Sequence, residues 1–181
     1  RLMTFFFYLS KSVDAADLSG YIYAMTYEEE MNATARNWNR TNVTTRYILK
    51  NIGRHASIVD FGAGKFQSQT RILRNNGHTV YPYDIGGTGR KVNRSFYNSP
   101  TILMASNVLN VQPNMDRLYE TLKTMDSFSP KMILANYPAQ PRKLDLTLDE
   151  MNDTLGRMDN YTVTFTRKKD NLIILNRYVV A

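Results

Sequence analysis

The chain has 181 residues, 43% hydrophobic and 22% charged, a globular composition that one ordinary domain can bury into a core. It holds no cysteine and only two histidines, which excludes thiol nucleophiles, disulfides and zinc–thiolate centres, and no metal cofactor is expected. With 23 basic and 16 acidic residues the formal net charge is +7, which suits an anionic partner such as nucleic acid as readily as a solvated surface.

In chain order, the apolar start around Phe5, Phe6 and Phe7 is too short for a membrane span. No membrane contact is expected, and a reducing cytoplasmic setting fits the absence of cysteine. Residues 1–50 read as a helical extension before a core of residues 51–181, the whole forming one domain. Its aromatics Tyr21, Tyr23, Tyr27 and Trp38 either pack or close over the site as a lid. Thr44 to Asn51 runs into Ile52-Gly53, a helix stop. Ser57 to Phe61 is a short β-branched run closed by glycines, which predicts a buried strand. A helix over 66–76 follows, with Ile72 and Leu73 inward and Asn75-Asn76-Gly77 as its stop. Thr79 to Asp84 predicts a second strand, placed near an edge by Pro82.

Residues 86–100 are rich in Gly, Asn, Ser and basic side chains and predict a loop, with Arg90, Lys91 and Arg94 as a basic patch. Thr101 to Ser106 is a third strand, Asn114 to Met125 an amphipathic helix, and Lys131 to Ala135 a fourth strand. Thr147 and Glu150 form a capping-box pattern that opens a helix reaching Met158. Tyr161 to Arg167 and Leu172 to Val180 flank a polar turn and predict a hairpin. This order implies an α/β sheet, Rossmann-like and mostly parallel, with helices on both faces and an antiparallel C-terminal hairpin. Ligands in such sheets bind beyond the carboxyl ends of the strands.

Asp60-Phe-Gly62-Ala63-Gly64 sits where the first strand turns into a helix, and Asp84 lies twenty residues beyond Gly64 at the end of the second strand. A carboxylate at that place can accept both hydroxyls of a ribose. A nucleotide phosphate loop is excluded, because Val59 stands where its first glycine belongs and Phe66 replaces its Ser/Thr. A dinucleotide fold prefers a third glycine where Gln67 stands. S-adenosylmethionine carries an ammonium and a sulfonium but no phosphate, so it suits an acid beside the glycines. A Gly-rich turn with no ligand is the competing reading.

Val59-Asp-Phe-Gly-Ala-Gly-Lys65 with Tyr83-Asp84 resembles the class I S-adenosylmethionine-dependent methyltransferases. Ala105-Ser-Asn-Val-Leu-Asn-Val-Gln112 and Asn136-Tyr-Pro-Ala-Gln-Pro-Arg-Lys143 are similar to small phage-type members. The resemblance covers residues 50–181. It implies a seven-stranded sheet with the seventh strand antiparallel, a methionine end near Asp60 to Gly64, and a ribose at Asp84. The cofactor set it implies is Asp60, Gly62, Ala63, Gly64, Asp84, Ile85, Ser106 and Asn107. One departure is visible: the usual third strand and its helix are compressed into residues 86–100.

Ser106 and Asn107 end the third predicted strand, and Asn136, Tyr137 and Pro138 end the next one beside it. An Asn carbonyl can orient an amine, Tyr137 can stack on a planar base, and Arg142 and Lys143 can hold a phosphate. Asn107, Asn136 and Tyr137 are therefore the candidate catalytic residues, and Tyr137, Pro138, Arg142 and Lys143 the candidate acceptor contacts. Asn110 and Gln112 are read as capping the next helix. An exocyclic amine of DNA or RNA suits this set. A small molecule or protein acceptor, or a silent binding module of the same fold, are the alternatives. Methylation at pyrimidine C5 is disfavoured by the lack of cysteine.

Overall fold

In the computed structural model, the described residues are 41–64, 66–84, 100–138, 143–167, 169 and 171–178. They form helix α1 (Val43–Asn51), strand β1 (Ser57–Phe61), α2 (Ser68–Asn75), β2 (Thr79–Tyr83) and β3 (Ile102–Ser106). A 3-10 turn (Leu109–Val111) leads to α3 (Met115–Asp126), followed by β4 (Met132–Asn136), α4 (Leu148–Gly156), β5 (Tyr161–Arg167) and β6 (Leu172–Arg177).

The sheet order is β2-β1-β3-β4-β6-β5. The first four strands are mutually parallel, β6 runs antiparallel to β4, and β5 pairs antiparallel with β6. Both hairpin strands thus extend the sheet on its far side. Six strands are described against the seven that the resemblance implies. The compressed segment 86–100, apart from Pro100, lies outside the described residues, as do residues 1–40 with their aromatics. Pro82 fits its place because β2 borders the described sheet, where a missing N–H breaks no ladder.

Period-two alternation along the central strands splits the core into two layers. Val59, Phe61, Leu103, Ala105, Ile133 and Ala135 point to the face covered by α3 and α4. Ile58, Ile102, Met104 and Leu134 point to the opposite face, with Ile48 of α1 and Leu73 of α2. Polar side chains set the helix starts. Asn42 accepts the Thr45 amide, Asn114 the Arg117 amide, and Thr147 and Glu150 form the expected capping box. Helix α2 begins later than its sequence pattern predicts. Gln67 takes a left-handed conformation (φ 46°) just before it, so the helix starts at Ser68.

Val108, directly after β3, packs on the glycine turn that follows β1. A Cβ on Gly62 would overlap Val108 Cγ2, and Gly62 has φ +77°. Gly62→Ala should therefore cost about 2–4 kcal/mol, strain and overlap together, in a urea unfolding experiment. Gly53→Ala, with nothing near its would-be Cβ, should stay within about 0.5 kcal/mol. Adding Val108→Ala should recover part of the Gly62→Ala loss by removing the overlap. Full tolerance of Gly62→Ala would show that the turn is not held in this form.

Candidate functional site

The carboxyl ends of β1, β2, β3 and β4 gather most of the residues singled out from the sequence. The turn after β1 bends back over β2. Gly62 and Ala63 both donate their amides to the Tyr83 carbonyl, at 2.7 and 3.1 Å, and Gly64 donates to Asp84 Oδ2 at 2.6 Å. Positive φ at Gly62 (77°) and Gly64 (62°) aims these amides that way. Asp84 thus contributes one oxygen to the turn.

Asp60 is 3% exposed. Its Oδ2 accepts a 2.6 Å hydrogen bond from Thr70 Oγ1, one turn into α2. Burial pushes its carboxyl up to about 6; the Thr70 bonds and more distant Arg74 pull it down, and Asp84 pushes it further up. Asp60 therefore ties the strand end to α2 from beneath the turn. Thr70 was not singled out from the sequence. The signal for it was a threonine on the inward face of a short helix, opposite a strand-end acid.

At the ends of β3 and β4 the two asparagines interlock. Asn107 sits in the left-handed region (φ 58°), and its amide donates to Asn136 Oδ1 at 2.8 Å. Ser106 Oγ donates to the same oxygen at 3.2 Å, and Asn136 Nδ2 donates to Asn107 Oδ1 at 3.3 Å. Both acceptor directions of Asn136 are thus engaged inside the protein, against the expectation that its carbonyl faces an amine. Asn107 is exposed. Behind Ser106, Thr44 Oγ1 lies 3.4 Å from Ser106 Oγ and donates to Asn42 Oδ1 at 2.9 Å. The Asn42 amide donates to Gln69 Oε1 at 3.1 Å, which ties the start of α1 to α2. Asn42, Thr44 and Gln69 escaped the sequence reading, although Asn42 followed by Thr45 is an N-cap pattern.

Tyr137 requires a correction. It is 0% exposed, packed in the core beneath α4, and its hydroxyl donates to the Leu144 carbonyl at 3.1 Å. A ring so enclosed has no free face for a base. Its position after a strand end resembled a site position, but the chain turns inward there, where the Tyr137 amide bonds the Asn171 carbonyl at 2.9 Å. Pro138 is half-buried beside it, and Lys143 is exposed with its amide on the Asn110 carbonyl at 3.3 Å. Ile85, Arg142 and the Arg90, Lys91, Arg94 patch lie outside the described residues. Gln112 does hold the next helix as expected, donating to the Val108 carbonyl and accepting from Thr121 of α3. Asn110 is buried, and its Oδ1 has no partner among the described residues.

The sequence matches no protein-family profile and no curated relative. In structure the chain is similar to the 1,6-didemethyltoxoflavin-N1-methyltransferase of Burkholderia thailandensis, solved with S-adenosylhomocysteine. The two share 13% identity and a TM-score of 0.57 over 94% of each chain. It is similar to the magnesium protoporphyrin IX methyltransferase of Synechocystis, solved with S-adenosylmethionine, at 10% identity and a TM-score of 0.56 over 94% of this chain and 88% of that one. A TehB-like S-adenosylmethionine-dependent methyltransferase from Corynebacterium glutamicum gives 14% identity and a TM-score of 0.55 over 90% and 100%. The fold is therefore that of the class I S-adenosylmethionine-dependent methyltransferases, a mostly parallel sheet closed by an antiparallel pair. Among the described residues no helix is long and apolar enough to cross a membrane.

The raised carboxyl of Asp60 has a pH signature. Its folded pKa, about 6, lies above the ordinary 3.8, so the folded state holds this proton more tightly. The resulting stabilisation is present below about pH 4 and is lost as pH rises through about 6, roughly 3 kcal/mol for about two units. Asp60→Asn keeps an acceptor for Thr70 but removes the charge. The difference in unfolding free energy between Asp60→Asn and the parent should grow in the variant's favour from pH 4 to pH 7. A flat difference would show that Asp60 is not buried as a titrating acid.

Proposed function

We propose that this protein is an S-adenosylmethionine-dependent methyltransferase whose acceptor is an exocyclic amine of a nucleic-acid base. The observation that carries the cofactor reading is where the Gly-rich turn spends its amides. A phosphate-binding turn keeps consecutive N–H groups free for the anion. Here those of Gly62, Ala63 and Gly64 are satisfied by the end of β2. What the turn presents to a ligand is carboxylate chemistry: Asp84 at the end of β2 for ribose hydroxyls, and the field of Asp60 beneath for an ammonium. A cofactor with two hydroxyls, a cationic end and no phosphate fits those residues.

When bound, S-adenosylmethionine would supply an electrophilic methyl group: the amine lone pair would attack the methyl carbon, the C–S bond would break to release S-adenosylhomocysteine, and the amine proton would pass to solvent. The chain's own part is to place that amine. Asn107 Oδ1, on an exposed residue at the end of β3 and bonded among the described residues only by Asn136 Nδ2 at 3.3 Å, is the acceptor that can orient it. Asn136 acts through Asn107: it fixes a left-handed residue that would otherwise relax, so we place it as a positioning residue. The net charge of +7 supports a nucleic-acid acceptor. A small heterocycle is the second reading. It is favoured by the enclosure of Tyr137, which removes the expected stacking platform, and by a neighbour named for a small heterocycle that matches over 94% of both chains.

Titration calorimetry with S-adenosylmethionine and S-adenosylhomocysteine should give micromolar binding, and Asp84→Ala should weaken it about 10- to 100-fold, as loss of hydrogen bonds to a charged group predicts. Absence of binding to either compound in the parent protein would sink the cofactor reading. Transfer of labelled methyl to DNA, RNA and a small-molecule extract then separates the two acceptor classes. In whichever assay is active, Asn136→Ala should lower kcat about 10-fold or more with cofactor affinity unchanged, because it frees Asn107 without touching the turn. An unchanged kcat would remove Asn136 from the site.

A further inference from the structure

On the face of the sheet away from α3 and α4, α1 covers only part of β4, and among the described residues no further helix lies over the closing hairpin. A groove of about 530 Å3 runs there, a volume within the usual range of ligand clefts. Its wall is α1, through Arg46, Tyr47 and Lys50. Its floor is Ile174 and Asn176 of β6, with Thr164 of β5 on the far side. Asn176 Nδ2 donates to Thr164 Oγ1 at 2.9 Å, which fixes the polar floor.

The groove is cationic by construction. Two of its lining residues, Arg46 and Lys50, are basic and none is acidic. Arg46 and Lys50 are exposed and stand four residues apart on one face of α1, about 6 Å along its axis. Among the described residues the single ion pair is Arg117 with Glu120 on α3, so neither groove cation is neutralised by a carboxylate. Arg46 gives one N–H to the Thr41 carbonyl at 3.2 Å, which orients the guanidinium and leaves most of its donors. Tyr47, half-buried in the same wall, adds an aromatic ring beside the two charges.

We propose that this groove binds the phosphodiester backbone of a single-stranded nucleic acid. Two cations on one face suit successive phosphates of an extended strand, and a neighbouring aromatic suits a base. A strand also fits the route to the site. Thr44, at the other end of the same helix, lies against Ser106, about 9 Å along the axis from Lys50. A chain held in the groove therefore leads towards Asn107. The proposal deepens the nucleic-acid reading of the acceptor and rests on it for its purpose, but its measurement needs no methyl donor.

The test is fluorescence anisotropy with labelled single-stranded DNA and RNA of mixed sequence, about 16 nucleotides long, without cofactor and between about 50 and 200 mM salt. The parent protein should bind with an affinity that falls linearly on a log–log salt plot. The pair Arg46→Ala and Lys50→Ala should weaken binding at least 10-fold and reduce the salt slope by about 2. Thr164→Glu, a single exposed change on the opposite wall, should weaken binding as well. The pair Arg117→Ala and Lys123→Ala on α3 removes the same charge from the other face and should change affinity less than 3-fold. Circular dichroism checks that each variant is folded. The groove is overturned by absence of salt-sensitive binding in the parent, by unchanged binding in the Arg46 and Lys50 pair or in Thr164→Glu, or by an equal loss in the α3 pair. Failure of cofactor calorimetry with this result intact would sink the methyl-transfer reading and leave the groove standing.

Discussion

Three successive amides of the turn after β1 point at the end of β2, and the positive φ angles at Gly62 and Gly64 aim them there. Much of the site follows from that constraint. The turn must lie flat across two strand ends, so Val108 of the neighbouring strand can pack where a Gly62 side chain would stand. It must also cover Asp60, which then takes its partner from Thr70 below rather than from solvent. The same bonds that shape the turn remove its ability to cradle a phosphate. Folding and ligand chemistry are thus settled by the same few N–H groups.

A second locked corner sits at β3 and β4. A left-handed non-glycine residue is costly, on the order of 1 kcal/mol or more. Here Asn136 offsets the cost by accepting the Asn107 amide, while Ser106 and Thr44 brace Asn136 from behind. The corner is built from uncharged groups. It holds a shape without imposing a field, which leaves the charged groups of the site confined to the β1–β2 side.

Much of this was legible in the sequence. Short β-branched runs such as Ser57 to Phe61, the threonine–glutamate cap at Thr147 and the polar turn of the hairpin are local signals, and most described elements formed within about two residues of their pattern, the last strand ending at Arg177 short of the expected Val180. The acid–glycine–glycine–acid arrangement was legible too, because backbone geometry restricts which residues fit those positions. Side-chain direction was not. Tyr137 and Asn136 are adjacent strand-end residues, and nothing local says that one ring enters the core while the other side chain bridges two strands. Thr44, Gln69 and Thr70 act across 10 to 62 residues of sequence, so only the assembled fold brings their partners near. Gln67 shows the opposite case. It holds the left-handed conformation at a place where a glycine would be the default, so its residue type hid its geometry.

The irregularity between Val163 and Phe165 on β5 bears on how the molecule behaves among its own copies. β5 borders the described sheet, and a border strand offers unpaired backbone groups to any neighbouring strand. A bulge there breaks the regular spacing that a second chain would need for continuous pairing and increases the local twist. Pro82 serves the opposite border by removing a donor. Both margins of the described sheet thus carry a feature that makes continuous edge-to-edge pairing unfavourable.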